Sequence, residues 1–195
     1  MLLGRFRKDK KGLAAVEFAL ILPVMITLFF GVVELSLMMS ARASVNSVAS
    51  VTADLVAQKS SLTPSDITNV FTAATAILYP NSVNNATIEI FSIVDDNNAT
   101  GKVAWSCKKV GSNAATTGDT TPPTDSKGGD IIKAGNLDAN GVAQYGGSGS
   151  VIVGRITYTY ASPTSKLVAG STSMINMFYA RPRRVASIAA PTSCA

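Results

Sequence analysis

Residues 12–34 read GLAAVEFALILPVMITLFFGVVE, and the reading of this stretch decides the fold. Its central part, FALILPVMITLFFGVV at 18–33, contains no charged residue. A helix that crosses a bilayer needs about 20 predominantly apolar residues. The 30 residues 12–41 supply them, with Glu17 and Glu34 as the only charges. A secretory signal that is removed after export has a shorter apolar core, about 7–15 residues, closed by a small-residue cut site. The present run is longer and lacks that closing site, so the helix is expected to remain in the protein.

Working backward from this stretch, residues 1–12 carry Arg5, Arg7, Lys8, Lys10 and Lys11 against Asp9, a net charge of +4. The whole chain carries +5, so the rest of the sequence is close to neutral. Basic residues placed just before an apolar run are retained on the cytoplasmic side of a membrane. The basic balance therefore reads as a topology signal, and no nucleic-acid partner is expected. This gives a basic cytoplasmic leader at 1–12, a transmembrane helix at 13–41 and an exported domain at 42–195.

Working forward, the helix is expected to continue past the membrane. Ala41, Val45, Val48, Val51 and Leu55 recur at steps of three and four, one face of a helix. No Gly or Pro interrupts residues 34–61. A helix over 13–59 would be about 70 Å long at about 1.5 Å per residue, more than twice a bilayer core of about 30 Å. Its second half must bury its stripe elsewhere. Thr63-Pro64-Ser65-Asp66 then reads as a helix start, with Thr63 as cap and Pro64 in the first turn. Ile67, Val70, Phe71, Ala74, Ile77 and Leu78 form that helix's apolar face, and Pro80 disfavours helical geometry at Tyr79.

The remainder is β-rich, over 86–180. ATIEIFSIV at 86–94 and KVAWSC at 102–107 read as a hairpin around the turn cluster 95–101. Residues 110–129, dominated by Gly, Thr, Asn and Pro, read as a long exposed loop. VIVGRITYTY at 151–160 is the clearest strand, with MINMFY at 174–179 as its partner. The expected fold is therefore α+β. A long N-terminal transmembrane helix continues into a small exported pilin-like domain with a second helix, at 42–80 overall, and an antiparallel sheet of about four strands. An antiparallel sheet with an apolar face needs a cover, and the emerging half of the first helix supplies one.

The chain has two cysteines and no histidine. No metal-binding spacing occurs, and neither a cofactor nor a nucleophile–base set is indicated. Cys107 and Cys194 are either one disulfide or two unrelated thiols; export favours the bridge. Lesser patterns are the sequons at Asn85 and Asn98, an acidic turn at Asp95-Asp96-Asn97-Asn98 with oxygen ligands suited to calcium, and the basic run Arg181, Arg183, Arg184. Chance, a hairpin turn and a solvated surface explain these more simply.

The string Lys10-Lys11-Gly12-Leu13-Ala14-Ala15-Val16-Glu17-Phe18 resembles the class III signal of type IV pilins, in which a basic leader ends in Gly and Glu stands fifth in the mature chain. Residues 12–24, with Gly31-Val32-Val33-Glu34, resemble the TadE-like family of Tad pilus assembly proteins. The late run 178–184 and the near-terminal Cys194 are also similar to that family. The residue after Gly12 is Leu13, where many type IV pilins carry Phe.

The resemblance implies a minor pilin or pseudopilin in the bacterial inner membrane, with its N-terminus cytoplasmic and its C-terminal domain periplasmic. It implies a prepilin peptidase that cuts between Gly12 and Leu13, next to Glu17 and Phe18. It also implies other Tad pilins, pseudopilins and platform proteins as partners. Glu17 would pair with the free amine of a neighbouring subunit. Glu34, about 26 Å further along the helix, sits near the opposite headgroup layer and is a second candidate for assembly. The alternative is an uncleaved, membrane-anchored exported binding module; a membrane-tethered enzyme has no supporting site.

Overall fold

The computed structural model describes residues 12–94, 102–121, 150–162 and 171–195. The leader before Gly12, the turn 95–101 with its acidic cluster and Asn98 sequon, and residues 122–129 of the expected loop lie outside the described residues. The chain divides into two units, Met1–Met39 with Ala161–Ser171, and Ser40–Tyr160 with Thr172–Ala195.

Helix α1 runs Leu13–Ala57, 45 residues. Pro23 has no amide to donate, yet the ladder continues through it. The hydroxyl of Thr27 donates to the Pro23 carbonyl at 2.8 Å, and that of Ser36 to the Val32 carbonyl at 2.9 Å. Such bonds to the carbonyl four residues back satisfy side-chain hydroxyls within their own helix.

Helix α2 runs Pro64–Leu78. The Thr63 hydroxyl accepts from the Asp66 amide, and the Asp66 carboxylate accepts from the Thr63 amide at 3.0 Å, a reciprocal capping box. Lys59 reaches the same carboxylate at 2.8 Å. The Lys59 ammonium first, and the Thr63 hydroxyl and amide after it, hold the Asp66 carboxyl well below the usual carboxylate range. Ile67, Val70, Phe71, Ala74 and Leu78 are buried, and Ile77 is half-buried at the flank of that face.

The sheet has five strands, where about four are expected from the sequence, in the order β3-β2-β1-β4-β5. They are β1 Ala86–Val94, β2 Lys102–Val110, β3 Thr116–Thr117, β4 Ser150–Tyr160 and β5 Thr172–Ala180. Every neighbouring pair is antiparallel. The added strand, β3, is two residues inside the expected 110–129 loop, and β2 extends to Val110. Both lack the apolar alternation that marks a strand in sequence. β1 lies centrally and is buried on both faces, which is why its sequence shows almost no polar–apolar alternation.

One face of the sheet meets the second half of α1. A Cβ built on Gly154 of β4 would lie 2.5 Å from the Ala49 carbonyl oxygen and 3.1 Å from the Ala53 amide nitrogen. Glycine is required here because helix backbone and strand backbone touch. This close approach corrects the expected stripe. The buried positions of α1 are Ala41, Val45, Val48, Ala49, Thr52, Ala53, Val56 and Ala57, whereas Val51 and Leu55 are only half-buried. The face turned to the sheet is the one rich in alanine, since only small side chains let the axis come that near; the larger residues flank the contact. Beside it, Asn176 of β5 donates to the Asn46 side chain of α1 at 2.7 Å.

The opposite face carries a second apolar cluster, Phe91, Ile93, Val103, Val151 and Val153, with Met177 and Tyr179 packed against it. Next to this cluster stands a charged group. Glu89, 1% exposed, faces Lys108 and Arg155 across the two ladders of β1. Its carboxylate accepts from Arg155 Nε at 2.6 Å and lies 3.3 Å from Lys108 Nζ. Arg155 also reaches Asp119 at 3.2 Å and covers the Phe91 ring at 5.3 Å. A buried carboxylate needs such partners because desolvation of an unpaired charge costs several kcal/mol, ~3–5 when a partner is lost.

The C-terminal tail folds back on β2. Cys107 and Cys194 form a disulfide with a Cα–Cα distance of 5.5 Å. The indole of Trp105 donates to the Ile188 carbonyl at 2.8 Å. Arg183 donates its amide to the Ala57 carbonyl at 2.9 Å, and its guanidinium pairs with Asp54. The basic run is thus partly consumed inside the domain, by the last turn of α1.

Candidate membrane and assembly segment

The candidate functional segment is the first half of α1. Every residue from 12 to 30 is exposed in the chain by itself. Leu20 is 72% exposed, Val32 66% and Phe29 65%. Large apolar side chains displayed on all sides of a helix need an apolar surrounding, and the length and composition of α1 suit a membrane crossing. In hydrocarbon only internally bonded backbone is tolerated, which an unbroken helix provides.

Two carboxylates bracket the uncharged run. Glu17 is exposed, one turn after Leu13. Glu34, by contrast, is 3% exposed while Val33 and Leu35 beside it are exposed at 40% and 52%. A charged residue in an apolar helix is costly unless satisfied, by about 2.5–3.5 kcal/mol at mid-bilayer on insertion scales. The two positions therefore differ: Glu34 is buried and Glu17 is exposed.

A Cβ built on Gly12 would meet nothing within 4 Å, and the same holds at Gly31. Among the described residues, no packing demands glycine at either place. Gly12, Leu13, Glu17 and Phe18 lie together at the helix start, on consecutive turns, and all are exposed. Glu34 stands apart from them, and Cys107 and Cys194 belong to the other unit.

Elsewhere the surface offers shallow clefts. One, of about 250 Å³, lies between Thr68, Phe71, Thr72 and Thr75 of α2 and Lys109 of β2. Another, of about 290 Å³, lies between β2 and residues 190–194 of the tail. Neither gathers titratable groups in an arrangement that could move a proton. Among the described residues, no three His, Cys, Asp or Glu side chains converge as metal ligands would.

The charged group around Glu89 was not anticipated from sequence. Its signal was present all the same: Glu89 and Arg155 are each the single charge in an otherwise uncharged strand. Asp119 carried no such mark.

No curated protein and no solved structure matches the chain. A family model does match its N-terminal part, and the matched residues include Gly12, Glu17, Glu34 and the sheet-covering half of α1 through Asp54. Over residues 12–54 the chain is TadE-like, matching the model described as TadE-like protein.

Proposed function

We propose that the protein is a minor pilin or pseudopilin of TadE type that takes part in assembling a Tad (Flp) pilus or secretion machine. The observation that carries this reading is the matched segment 12–54, with Gly12, Glu17 and an exposed apolar helix, preceded in sequence by a basic leader. In this reading the basic leader stays cytosolic, α1 anchors the chain in the inner membrane and the disulfide-bearing domain lies on the oxidising side.

A prepilin peptidase cuts between Gly12 and Leu13. The new Leu13 amine then lies about 6 Å along the helix from Glu17, within one subunit's reach of a neighbour's carboxylate. An amine and a carboxylate in a low-dielectric layer attract far more strongly than in water, so each newly added helix is drawn to a set depth. The protein's partners in this reading are the membrane, the peptidase and other Tad pilins and platform proteins.

The open space around Gly12 makes a clean test. Gly12→Leu should leave folding untouched, because a Cβ there meets nothing among the described residues within 4 Å. Immunoblots with and without the peptidase, followed by N-terminal sequencing, should show a mature chain beginning at Leu13 in the wild type and none in Gly12→Leu. Glu17→Ala should be processed yet fail to support piliation. A wild-type chain that keeps its leader in the presence of the peptidase, or full piliation by Glu17→Ala, would contradict the proposal and favour an uncleaved anchored module.

A further inference from the structure

The unit that holds the sheet also holds residues 40–57 of α1, and two contacts set its strands against that helix. Gly154 of β4 meets Ala49 and Ala53. Two residues on, Ile156 pairs with Asn176, whose side chain bonds Asn46. Two strand residues rise about 6.6 Å, and the stretch of helix between the two contacts rises about 7 Å. β4 therefore runs alongside α1 in the opposite direction, and Tyr158, two residues further, comes level with Ala41 and Arg42. Arg42 is the first charged residue after Glu34 and marks the headgroup layer where the apolar run ends.

The turns at this end of the sheet lie at the same height. Ala86 pairs with Tyr158, and Val110 with Thr87. The Tyr158 hydroxyl is hydrogen-bonded to the Asn85 side chain and the Ser82 backbone. The Gly111 amide donates to the Ala86 carbonyl at 2.9 Å, and the Ser112 hydroxyl to the Asn84 side chain at 3.1 Å. Residues 79–85 and 110–113 thus form one rim. On it Tyr79 is 83% exposed and Val110 42%.

The charge at this rim has one sign. Residues 79–87 and 110–117 contain no charged side chain. The cations beside them are Arg42, which is exposed, and Lys109, whose ammonium donates to the Asn113 carbonyl at 2.6 Å. The described carboxylates beyond Glu34 are Asp54, Asp66, Glu89 and Asp119, and each is already paired with a lysine or arginine of the same unit. An exposed tyrosine, two cations and no acid suit the interfacial layer of an anionic bilayer, where tyrosine is enriched and basic side chains are attracted.

We infer that this rim rests in the lipid headgroup layer, with Tyr79 inserted and with Arg42 and Lys109 on lipid phosphates. The inference rests on α1 as the membrane anchor, and on neither cleavage nor pilus membership.

Trp105 is the single tryptophan of the chain. It pairs with Ser92, and Ser92 with Ile152, about 20 Å from Tyr158 along β4, so its emission is an internal reference. The test uses the full chain in vesicles of phosphatidylglycerol and phosphatidylcholine, part of the latter carrying a nitroxide quencher on its headgroup. Flotation with the vesicles checks the anchor. The nitroxide should leave wild-type emission unchanged, and Tyr79→Trp should lose most of the emission that it adds. Ser65→Trp, exposed at the opposite end beside the Lys59–Asp66 pair, should keep its own. Arg42→Gln together with Lys109→Gln, in the Tyr79→Trp chain, should restore most of the lost emission. A floating chain in which Tyr79→Trp is quenched no more than Ser65→Trp, or in which the double substitution leaves the quenching unchanged, overturns the inference and leaves the anchor standing. A chain that does not float overturns the anchor and this inference with it.

Discussion

Gly154 is where the backbone of a strand and the backbone of a helix meet without a side chain between them. Gly154→Ala would drive a methyl group into the Ala49 carbonyl, and the helix would have to lift along its alanine face. Overpacking of this kind costs about 1–3 kcal/mol. Urea titration of the full chain, followed through the single Trp105, should show that loss, whereas Gly12→Ala should leave the midpoint unchanged. The glycine was visible in the sequence as the interruption of VIVGRITYTY, and a glycine inside a strand often marks close backbone approach. What lay across from it was not visible. Without that partner, the bulkier Val51 and Leu55 looked as good a stripe as the alanines that the contact selects.

Among the elements, α2 was legible to the residue, because its start is written in local chemistry: Thr63 and Asp66 cap each other, and Pro64 fits the first turn. Thr63→Ala should cost about 1 kcal/mol, read from the urea midpoint. Asp66 adds a pH dependence of known sign. Its carboxyl is held below its ordinary value in the folded chain, so its contribution is complete above an unfolded value of about 3.9. That contribution is lost as pH falls towards the folded value. Asp66→Asn should therefore be less stable than wild type near pH 6, and the gap should narrow in melts taken at pH 3. Strands β1, β4 and β5 were equally plain from their β-branched and aromatic runs. β3 was not: two threonines have no periodicity, and only the neighbouring β2 makes them a strand.

For the whole molecule, the apolar N-terminal helix was legible because residues 18–33 form one uncharged run, and the α+β class followed from the helix periodicity and the β-branched runs after it. The candidate segment was legible for the same reason, since Gly12, Glu17 and the apolar run are adjacent in sequence. Long-range choices were not legible: how Glu89 is shared between Lys108 and Arg155, and how the tail binds β2. The Cys107–Cys194 bridge ties these together over a separation of 87 residues. Cys194→Ser should lower stability by about 3–5 kcal/mol in the chain-entropy picture. It should also shift Trp105 emission to the red as the Ile188 contact loosens.

That separation has a consequence for biogenesis. Cys107 leaves the ribosome long before Cys194 exists, so every nascent copy passes through a stage with one reactive thiol on an unfinished product. With two cysteines in the chain, no wrong internal pairing is available and no shuffling catalyst is needed. The only misstep open to Cys107 is capture by another molecule. Mixed adducts at that sulfur would thus tag copies whose synthesis stopped early, a built-in signature that quality-control machinery could read.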